Sequence, residues 1–599
     1  MDGTYYNNLP GYDPSVPYTL STTLQNPALN GGRPIRSSQT ELYLDDARHT
    51  SKNTNLRVDL TWRIGDHDLA FGIDNQRVTD TNDGQVTSGP NGAPGTGYAW
   101  LYYHENAGDY IVGDPTAPLF VDAPGNYRNG QEGYFVSKYI YRTAASAETS
   151  QYAQYIEDTW QINDRWMVKL GLRNDQFTNY NPEGDAYLRL TKPQWAPRLG
   201  FSWDVNGDSS FKVYGNAGRY YLALPSSVAL RGAGNSLFTE EYFTYGGIDS
   251  NGIPYDLTPI ETSTGGPLSK NGEYGEARDP RTATATNLKS EYQDEFILGF
   301  EKQLTPGWTY GVKAQYRSLK TAIDDVGDAG AIAAKMEAMG IDLDTVGTIN
   351  GGYIFNPGRT NIFQIAKADG SGYYAVPMTN DDFGFTNKLK RDYYSLQAFL
   401  THPFDGKWMG QVSYTYARSY GNSEGQVRSD LGQTDVAATE DWDYWQLMSA
   451  ASGELPNARQ HEIKAYGYYQ LTDEWMLSGN AVIQSGTPKS CLGFFGPNET
   501  NPGGGYGPDY HWCSGQPSPP GKVGHEAWQY TFSVGAEYRP VWAEKRLGFS
   551  VDVNNIFNNR IVTQSEPHSG SAATIDPSYR RAVSQTTPRY VRFGISYDF

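Results

Sequence analysis

The sequence predicts an all-β chain, a large antiparallel transmembrane β-barrel with long loops at one rim and short turns at the other. Three observations predict it. Apolar and polar residues alternate strictly over runs of about ten residues, many times along the chain. The connections alternate between short turns and long polar segments. Aromatic residues recur at one fixed place beside the short turns.

Composition agrees with this and excludes other classes. The chain has 599 residues, and a large barrel of that length can be a single domain. Mean hydropathy is −0.62 and 38% of residues are apolar. No stretch approaches the ~20 apolar residues of a membrane helix. Barrel strands escape that test because only every second residue faces lipid. The 46 Tyr, 23 Phe, 14 Trp and 66 Gly fit twisted strands with interfacial aromatics and long loops. A secreted sandwich or propeller would share that composition, so it leaves both open. A net charge of −19 argues against a nucleic-acid partner. The excess acid is expected in the loops and the barrel interior. The opening Met1-Asp2-Gly3-Thr4-Tyr5-Tyr6 has neither a basic n-region nor an apolar h-region, so the numbering is expected to begin inside a longer precursor.

Taken in order, strands are expected near 37–47, 54–64, 67–78, 97–104, 134–144, 151–163, 165–177, 194–205, 209–221, 291–303, 308–319, 392–403, 408–420, 459–471, 475–486, 528–539, 547–558 and 590–599, about 17 or 18 in all. In the run from Trp308, residues Trp308, Tyr310, Val312, Ala314 and Tyr316 alternate with Thr309, Gly311, Lys313, Gln315 and Arg317. In that from Trp528, residues Tyr530, Phe532, Val534 and Ala536 alternate with Gln529, Thr531, Ser533 and Gly535. Each run has the length of a tilted strand crossing a bilayer. One short helix is expected from Ala331 to Met339, inside a loop. Neither a linker nor a domain boundary interrupts residues 1–599.

The connections separate a barrel from a sandwich. Short turns fall at 162–165, 205–208, 304–307, 404–407 and 471–474; long polar segments fall near 222–289, 320–391, 421–458, 487–527 and 559–588. A soluble domain rarely carries so many long loops. The residue after a short turn is repeatedly tryptophan: Trp166, Trp308, Trp408 and Trp475. At one depth inside the short-turn rim these would form a periplasmic aromatic girdle, since an indole prefers the interface. Ordinary cross-strand packing is the plainer alternative. The polar side of the strands carries Lys169, Arg173, Glu301, Lys313, Arg317 and Arg418, which would either pair with a plug or line a path.

The last strand alternates Val591, Phe593, Ile595, Tyr597 and Phe599 against polar residues. Arg592, Gly594, Tyr597 and Phe599 match the pattern of a C-terminal outer-membrane assembly signal, which an edge strand can present by β-augmentation to the assembly machinery. Several segments then resemble the TonB-dependent outer-membrane receptors. Val553-Asn554-Asn555-Ile556-Phe557-Asn558-Asn559 is similar to a stretch near the end of their barrels. Tyr155 to Asn163 followed by Leu170-Gly171-Leu172-Arg173 resembles their mid-barrel hairpin, and Ala196-Pro197-Arg198-Leu199-Gly200-Phe201 is similar too. Leu455-Pro456-Asn457-Ala458-Arg459-Gln460-His461 and Gln484-Ser485-Gly486-Thr487-Pro488 resemble the Oar-like branch. The resemblance spans roughly 50–599 and implies an integral protein of the Gram-negative outer membrane, in contact with its lipid and lipopolysaccharide. Family barrels of about 22 strands enclose a plug. No plug, signal or TonB box is visible here, so residues 1–599 read as an N-terminally incomplete receptor barrel whose contact with TonB would lie in the missing N-terminal region.

Other motifs lack the context their chemistry needs. Gly421-Asn422-Ser423-Glu424-Gly425 matches G-x-S-x-G, but a nucleophile elbow joins a strand to a helix in an α/β sheet, and here a polar loop follows. Cys491, His511, Cys513 and His525 share a loop without a close ligand pair, so a Cys491–Cys513 disulfide is expected before a zinc site. Asp324-Asp325-Val326-Gly327-Asp328 lacks a full calcium loop and reads as a solvated acidic segment. Gly503-Gly504-Gly505-Tyr506-Gly507 is a loop tip with no helix after it to cradle phosphate. No cofactor, metal or catalytic residue is expected, and the chain is not expected to be an enzyme. The resemblance implies a receptor that binds an extracellular ligand (a peptide, protein or oligosaccharide) through its long loops for energised uptake. The alternatives are an Oar-like surface adhesion or protein-export barrel, or an unplugged porin-like pore.

Overall fold

The computed structural model describes residues 43–45, 49–82, 85–87, 97–105, 133–142, 145–181, 183–223, 237–249, 253–260, 266–269, 274–276, 279–349, 351–425, 427–433 and 439–599. Fifteen long strands follow one another: β1 (His49–Ile64), β2 (His67–Asn82), β3 (Ala145–Asn163), β4 (Trp166–Tyr180), β5 (Trp195–Asp204), β6 (Phe211–Tyr221), β7 (Tyr292–Thr305), β8 (Trp308–Thr321), β9 (Arg391–His402), β10 (Trp408–Gly421), β11 (His461–Gln470), β12 (Trp475–Gln484), β13 (Gln529–Tyr538), β14 (Leu547–Asn554) and β15 (Tyr590–Tyr597). Each pairs antiparallel with the next in sequence. Ala186–Leu190 beside β4 and Gly453–Glu454 beside β10 bring the sheet to 17 strands. Among the described residues no pairing joins β1 to β15, so each keeps one free edge.

The short turns are built by side-chain oxygens. Asn163 Oδ1 accepts from the backbone N–H of Trp166 at 3.1 Å, Asp405 Oδ1 from that of Trp408 at 3.0 Å, and Thr472 Oγ1 from that of Trp475 at 3.1 Å. These bonds mimic a backbone turn and fix where the next strand starts. Trp166, Trp408 and Trp475 are accordingly the first residues of β4, β10 and β12, and Trp308 opens β8 after a turn through Gly307 at φ 88. They meet aromatic neighbours there. Trp166 stacks on Trp203 at 5.1 Å, Trp475 on Tyr538 at 4.7 Å, and His402 lies flat on Trp408 at 4.0 Å with Trp308 against both.

The sheet has two faces with opposite chemistry. Leu56, Leu60, Leu170, Leu298, Leu396, Val412, Leu477, Val534, Phe593 and Ile595 are exposed on the outer face. Water cannot reward that much apolar surface, whereas hydrocarbon can. On β8 the outer positions stay apolar from Trp308 to Tyr316. At ~3.3 Å per residue and a tilt of ~40° this spans about 20 Å, near the ~25 Å band of outer-membrane barrels. The inner face pairs its own charges: Lys169 with Glu157 at 3.3 Å, Arg173 with Asp74 at 3.1 Å, Lys212 with Glu301 at 2.8 Å, and Arg317 with Glu295.

Four expectations change. The segments near 97–104 and 134–144 are strands, Ala99–Glu105 and Gly133–Arg142, but they lie outside the main sheet. They pair with each other, and Gly133–Arg142 pairs on its other side with Leu237–Thr244, so the β2–β3 and β6–β7 connections share a second sheet. Of the segment 37–47, Tyr43–Asp45 joins that sheet through Gln85–Thr87, and the rest lies outside the described residues. Alternation could not tell the two sheets apart, because both bury aromatic rows such as Phe135 with Tyr242. Arg418 stands opposite outward-facing Tyr394 and shares its face, so it is not an inner-face residue. Last, Asp324 is buried, accepting from Thr439 N and Oγ1 at 2.8 Å each, and Asp328 caps the helix α1 (Ala329–Ala338) by accepting from Ala331 N. The acidic segment is structural, and not a solvated run.

The assignment of faces has a measurable consequence. Arginine at outward Val412, in the middle of the β10 band, should cost ~2–4 kcal/mol, and arginine at inward Thr415, opposite Glu462, at most ~1 kcal/mol. Equilibrium unfolding in lipid vesicles measures both. Equal costs would mean the faces are wrongly assigned.

Candidate functional site

Four of the loops at the rim opposite the short turns lock together: 322–390, 422–460, 485–528 and 555–589. The first folds as a small unit around α1. Ile323, Ile332, Met336, Phe355, Phe363 and Phe383 form its core, which takes in Trp442 and Met448 from the second loop. Trp442 is fully buried with φ 69, a left-handed backbone that a bulky residue holds only when its packing is strong.

Charge joins the other loops. Arg428 is buried, with Asp430 at 3.3 Å, Glu440 at 3.4 Å and Asp441 at 3.6 Å, and its Nη2 donates to the carbonyl of Asp509 at 2.9 Å. Ser490, beside Cys491, donates to Asp430 at 2.7 Å. His568 on the fourth loop bonds Glu566 through Nδ1 and Asp509 through Nε2, the latter at 2.7 Å. Gln564 donates to the carbonyl of Ser429 at 3.0 Å. The guanidinium thus ties the second loop to the third, Gln564 and His568 add the fourth, and Thr439 on Asp324 ties in the first.

A single buried cation cannot neutralise so many carboxylates, and the acid–base balance shifts. Burial pushes Glu424 up to about 7, against the bonds it accepts from Ser429. Burial, then the charge of Asp509, pushes Glu440 up to about 7. Burial pushes Asp441 up to about 6 although Arg428 opposes it. For Asp430 burial acts upward most strongly of any single cause, but the opposing ones together, Arg428 first and the bond from Ser490 among them, hold the group below the usual range. His568 moves up to about 9, first through its bond to Asp509, so its imidazolium donates from both nitrogens. His511 is buried beside Arg428, and burial pushes it down to about 3, which keeps it neutral.

Against this scaffold lies a polar cavity of about 200 Å³, lined among others by Asp430, Lys489, Glu526, Gln564, Glu566 and Arg580. Both signs of charge and several hydroxyls converge there, a lining that suits one polar moiety of a larger molecule. Lys489 and Glu526 stand 3.7 Å apart across it.

Cys491 and Cys513 are joined by a disulfide, Cα to Cα 5.6 Å, at the foot of the third loop. Their separation of 22 residues removes about 3 kcal/mol of loop freedom in chain-entropy terms. His511 is buried, and His525 bonds Glu454 at 2.8 Å. Ser423, inside the G-x-S-x-G match, is buried and accepts from Gly425 N at 3.1 Å, as a turn residue. On β15, Arg592 donates to Asp552 at 3.2 Å, Gly594 leaves room for the Ser550 hydroxyl, and Tyr597 packs edge-on against Phe599. Sequence reasoning missed Arg428 and its partners. The only signal was a high local density of charge, which carries no information about burial.

An open-faced apolar band, one rim of short turns and one rim of interlocked loops define the wall of an integral outer-membrane β-barrel. The chain belongs to the family described as outer membrane beta barrel domain, which matches residues 2–562. It is a homologue of the TonB-dependent transporter Oar of Myxococcus xanthus, 23% identical over 558 residues that cover 80% of this chain and 47% of that protein. It therefore spans about half the length of this curated relative. Among solved structures, the outer membrane transporter YddB from Escherichia coli is 12% identical, with 92% of this chain and 63% of that chain covered and a TM-score of 0.45. The ferripyoverdine receptor of Pseudomonas aeruginosa is 12% identical, with coverages of 92% and 48% and a TM-score of 0.44. These relatives are named as transporters and receptors, not as enzymes.

The charge network makes the loop cap pH-sensitive. A carboxyl raised to between about 6 and 7 favours the closed cap while protonated, and a histidine raised to about 9 favours it while charged. Both contributions are lost as pH rises through those values. Hydrogen exchange in 422–460 and 555–589, corrected for its intrinsic pH dependence, should speed up from pH 6 to pH 9 while β7–β10 stay protected. A cap that tightens over that window would contradict the network. Reduction of Cys491–Cys513 should raise exchange in 485–528 and leave the strands unchanged. Protection lost along β12 and β13 would show that the bond supports the barrel itself.

Proposed function

We propose that this chain is the barrel of an energised outer-membrane receptor whose loop cap captures an extracellular ligand. The observation that carries this reading is the Arg428 network, which pre-organises three loops around a polar cavity of about 200 Å³. A pore has no need of a costly buried cation among carboxylates; a capture site gains from it, because rigid loops lose less entropy on binding. The cavity suits one sugar- or peptide-sized polar group of a larger peptide, protein or oligosaccharide. Binding and conduction break no covalent bond, so no residue is given a catalytic role.

The remaining parts follow from the same reading. Further strands, beyond the fifteen described, close the sheet between the free edges of β1 and β15, since lipid leaves no edge unpaired. A plug fills the lumen, and TonB acts on a segment preceding the barrel. Arg592, Gly594 and Tyr597 on β15, with Phe599 just after it, address the assembly machinery. Trp166, Trp308, Trp408 and Trp475 hold the periplasmic interface against lipid, with lipopolysaccharide at the other rim.

The test is uptake in cells that express the full-length gene. Labelled peptide and oligosaccharide pools should accumulate only with the gene present, saturably, and accumulation should stop when a protonophore collapses the proton-motive force. Arg428→Met should cut it at least ~10-fold with surface expression intact, because a buried pair broken on one side costs ~3–5 kcal/mol of local order. Unsaturable flux that survives the protonophore would leave a porin. Adhesion or secretion lost on gene deletion, with uptake unaffected, would leave the adhesion or export reading.

A further inference from the structure

The outer wall is not smooth across β5 to β10. In one cross-strand row Ala217 stands between Leu199 and Phe296; in the next Ala314 stands between Leu298 and Leu396. Two small residues among large ones leave a groove of about 640 Å³ with an apolar lining. Gly215 shapes its edge. The Phe201 ring lies so close over it that a Cβ would sit 2.5 Å from the ring, and the ring thereby becomes one wall. Water, at roughly 30 Å³ per molecule, gains nothing in such a lining. The groove opens into hydrocarbon, and an unfilled groove there forfeits dispersion contacts along its whole lining.

One step toward the loop rim, the same face turns ionic. Arg219 donates to both oxygens of Asp294, at 2.8 and 3.1 Å. Tyr316, on the groove, donates to Asp392 at 3.2 Å, and Lys390 lies 3.9 Å from Asp392 with its ammonium over Tyr420. Arg418, half exposed, pairs with Glu454 at 3.3 Å. Lys320 donates to the Ser318 hydroxyl at 2.9 Å. Four cations thus face three carboxylates on this patch, in a chain of net charge −19. The long loops put this rim in the outer leaflet.

We propose that the groove seats one acyl tail of a phosphorylated glycolipid of the outer leaflet, with the phosphate held by Lys320 and Lys390. The tail supplies the dispersion contacts that Ala217 and Ala314 leave unmade. Of the four cations, Lys320 carries no carboxylate partner among the described residues, and the loose approach of Lys390 to Asp392 leaves its ammonium able to turn toward an anion. Arg219 and Arg418 keep their partners and set the height at which the headgroup stops. The inference needs only the membrane position of the wall and is independent of uptake.

The experiment is lipid retention. Full-length protein is extracted from outer membranes in mild detergent, passed repeatedly through gel filtration, and its bound lipids are quantified by mass spectrometry. Wild type should keep phosphorylated glycolipid in stoichiometric amount and little phospholipid. Ala314→Trp, which fills the groove, and the Lys320→Ala/Lys390→Ala pair, which removes the headgroup contacts, should each lower retention by roughly 10-fold or more. Heat-modifiable migration in gels confirms that each barrel is folded. If Ala314→Trp fails that check, the lysine pair decides alone. Retained phospholipid in place of glycolipid, retention unchanged in folded variants, no retained lipid, or a second copy of the chain displaced by Ala314→Trp would each overturn the proposal.

Discussion

Everything in this fold depends on pairing backbone polar groups where water cannot reach. In hydrocarbon an unpaired N–H or C=O costs several kcal/mol, so a wall that lacks membrane helices must be a hydrogen-bonded sheet. That requirement explains why each of the fifteen long strands pairs with its neighbour in sequence. Nearest-neighbour hairpins need the least loop to close. It also explains the side-chain pattern. Once the backbone is satisfied by the ladder, the side chains are free to differ completely between faces. Leu298, Leu396 and Val412 meet lipid on one, while Lys169–Glu157 and Lys212–Glu301 neutralise each other on the other.

The rims are where that rule relaxes, and they relax differently. At the short-turn rim, Asn163, Asp405 and Thr472 replace backbone partners with side-chain oxygens, and the following tryptophan is held at a fixed height. At the loop rim, the chain has room to fold again. The first loop builds an apolar core of its own around α1, and the others gather on Arg428. A buried ionic centre gives less stability than apolar packing of the same volume, but it fixes which loop meets which, because each carboxylate left without the guanidinium would be costly.

How far this was legible in the sequence follows from the physics of each part. Period-2 alternation is dictated by the sheet, so fifteen of the expected strands fall on β1 to β15. The turns at 162–165 and 404–407 were legible because Asn163 and Asp405 are local turn formers. The second sheet was not separable, since Ala99–Glu105 and Gly133–Arg142 alternate for the same reason as the barrel strands. Arg418 was misplaced because outward positions stop being apolar above the lipid, and a polar residue there looks like an inward one. The Arg428 network was illegible because its members are scattered from residue 428 to residue 568, and only the folded loops bring them together. The disulfide partners were the exception, as the two cysteines are the only ones in the chain.

The separation of wall and cap has a consequence for how the protein can work. Strand pairing carries the wall, and none of it passes through Arg428, His568 or the cavity residues. The cap can therefore loosen or rearrange without cost to the barrel, since the two hold together through different interactions in different solvents. The wall's ladder is insensitive to pH because backbone amides do not titrate in this range. The cap's carboxylates, held near neutrality by burial, do. The proposed receptor role needs this division. A rigid frame keeps the loop roots at fixed spacing, so that a modest change in a few buried charges becomes a change in how the loops meet, and not in whether the protein stays in its membrane.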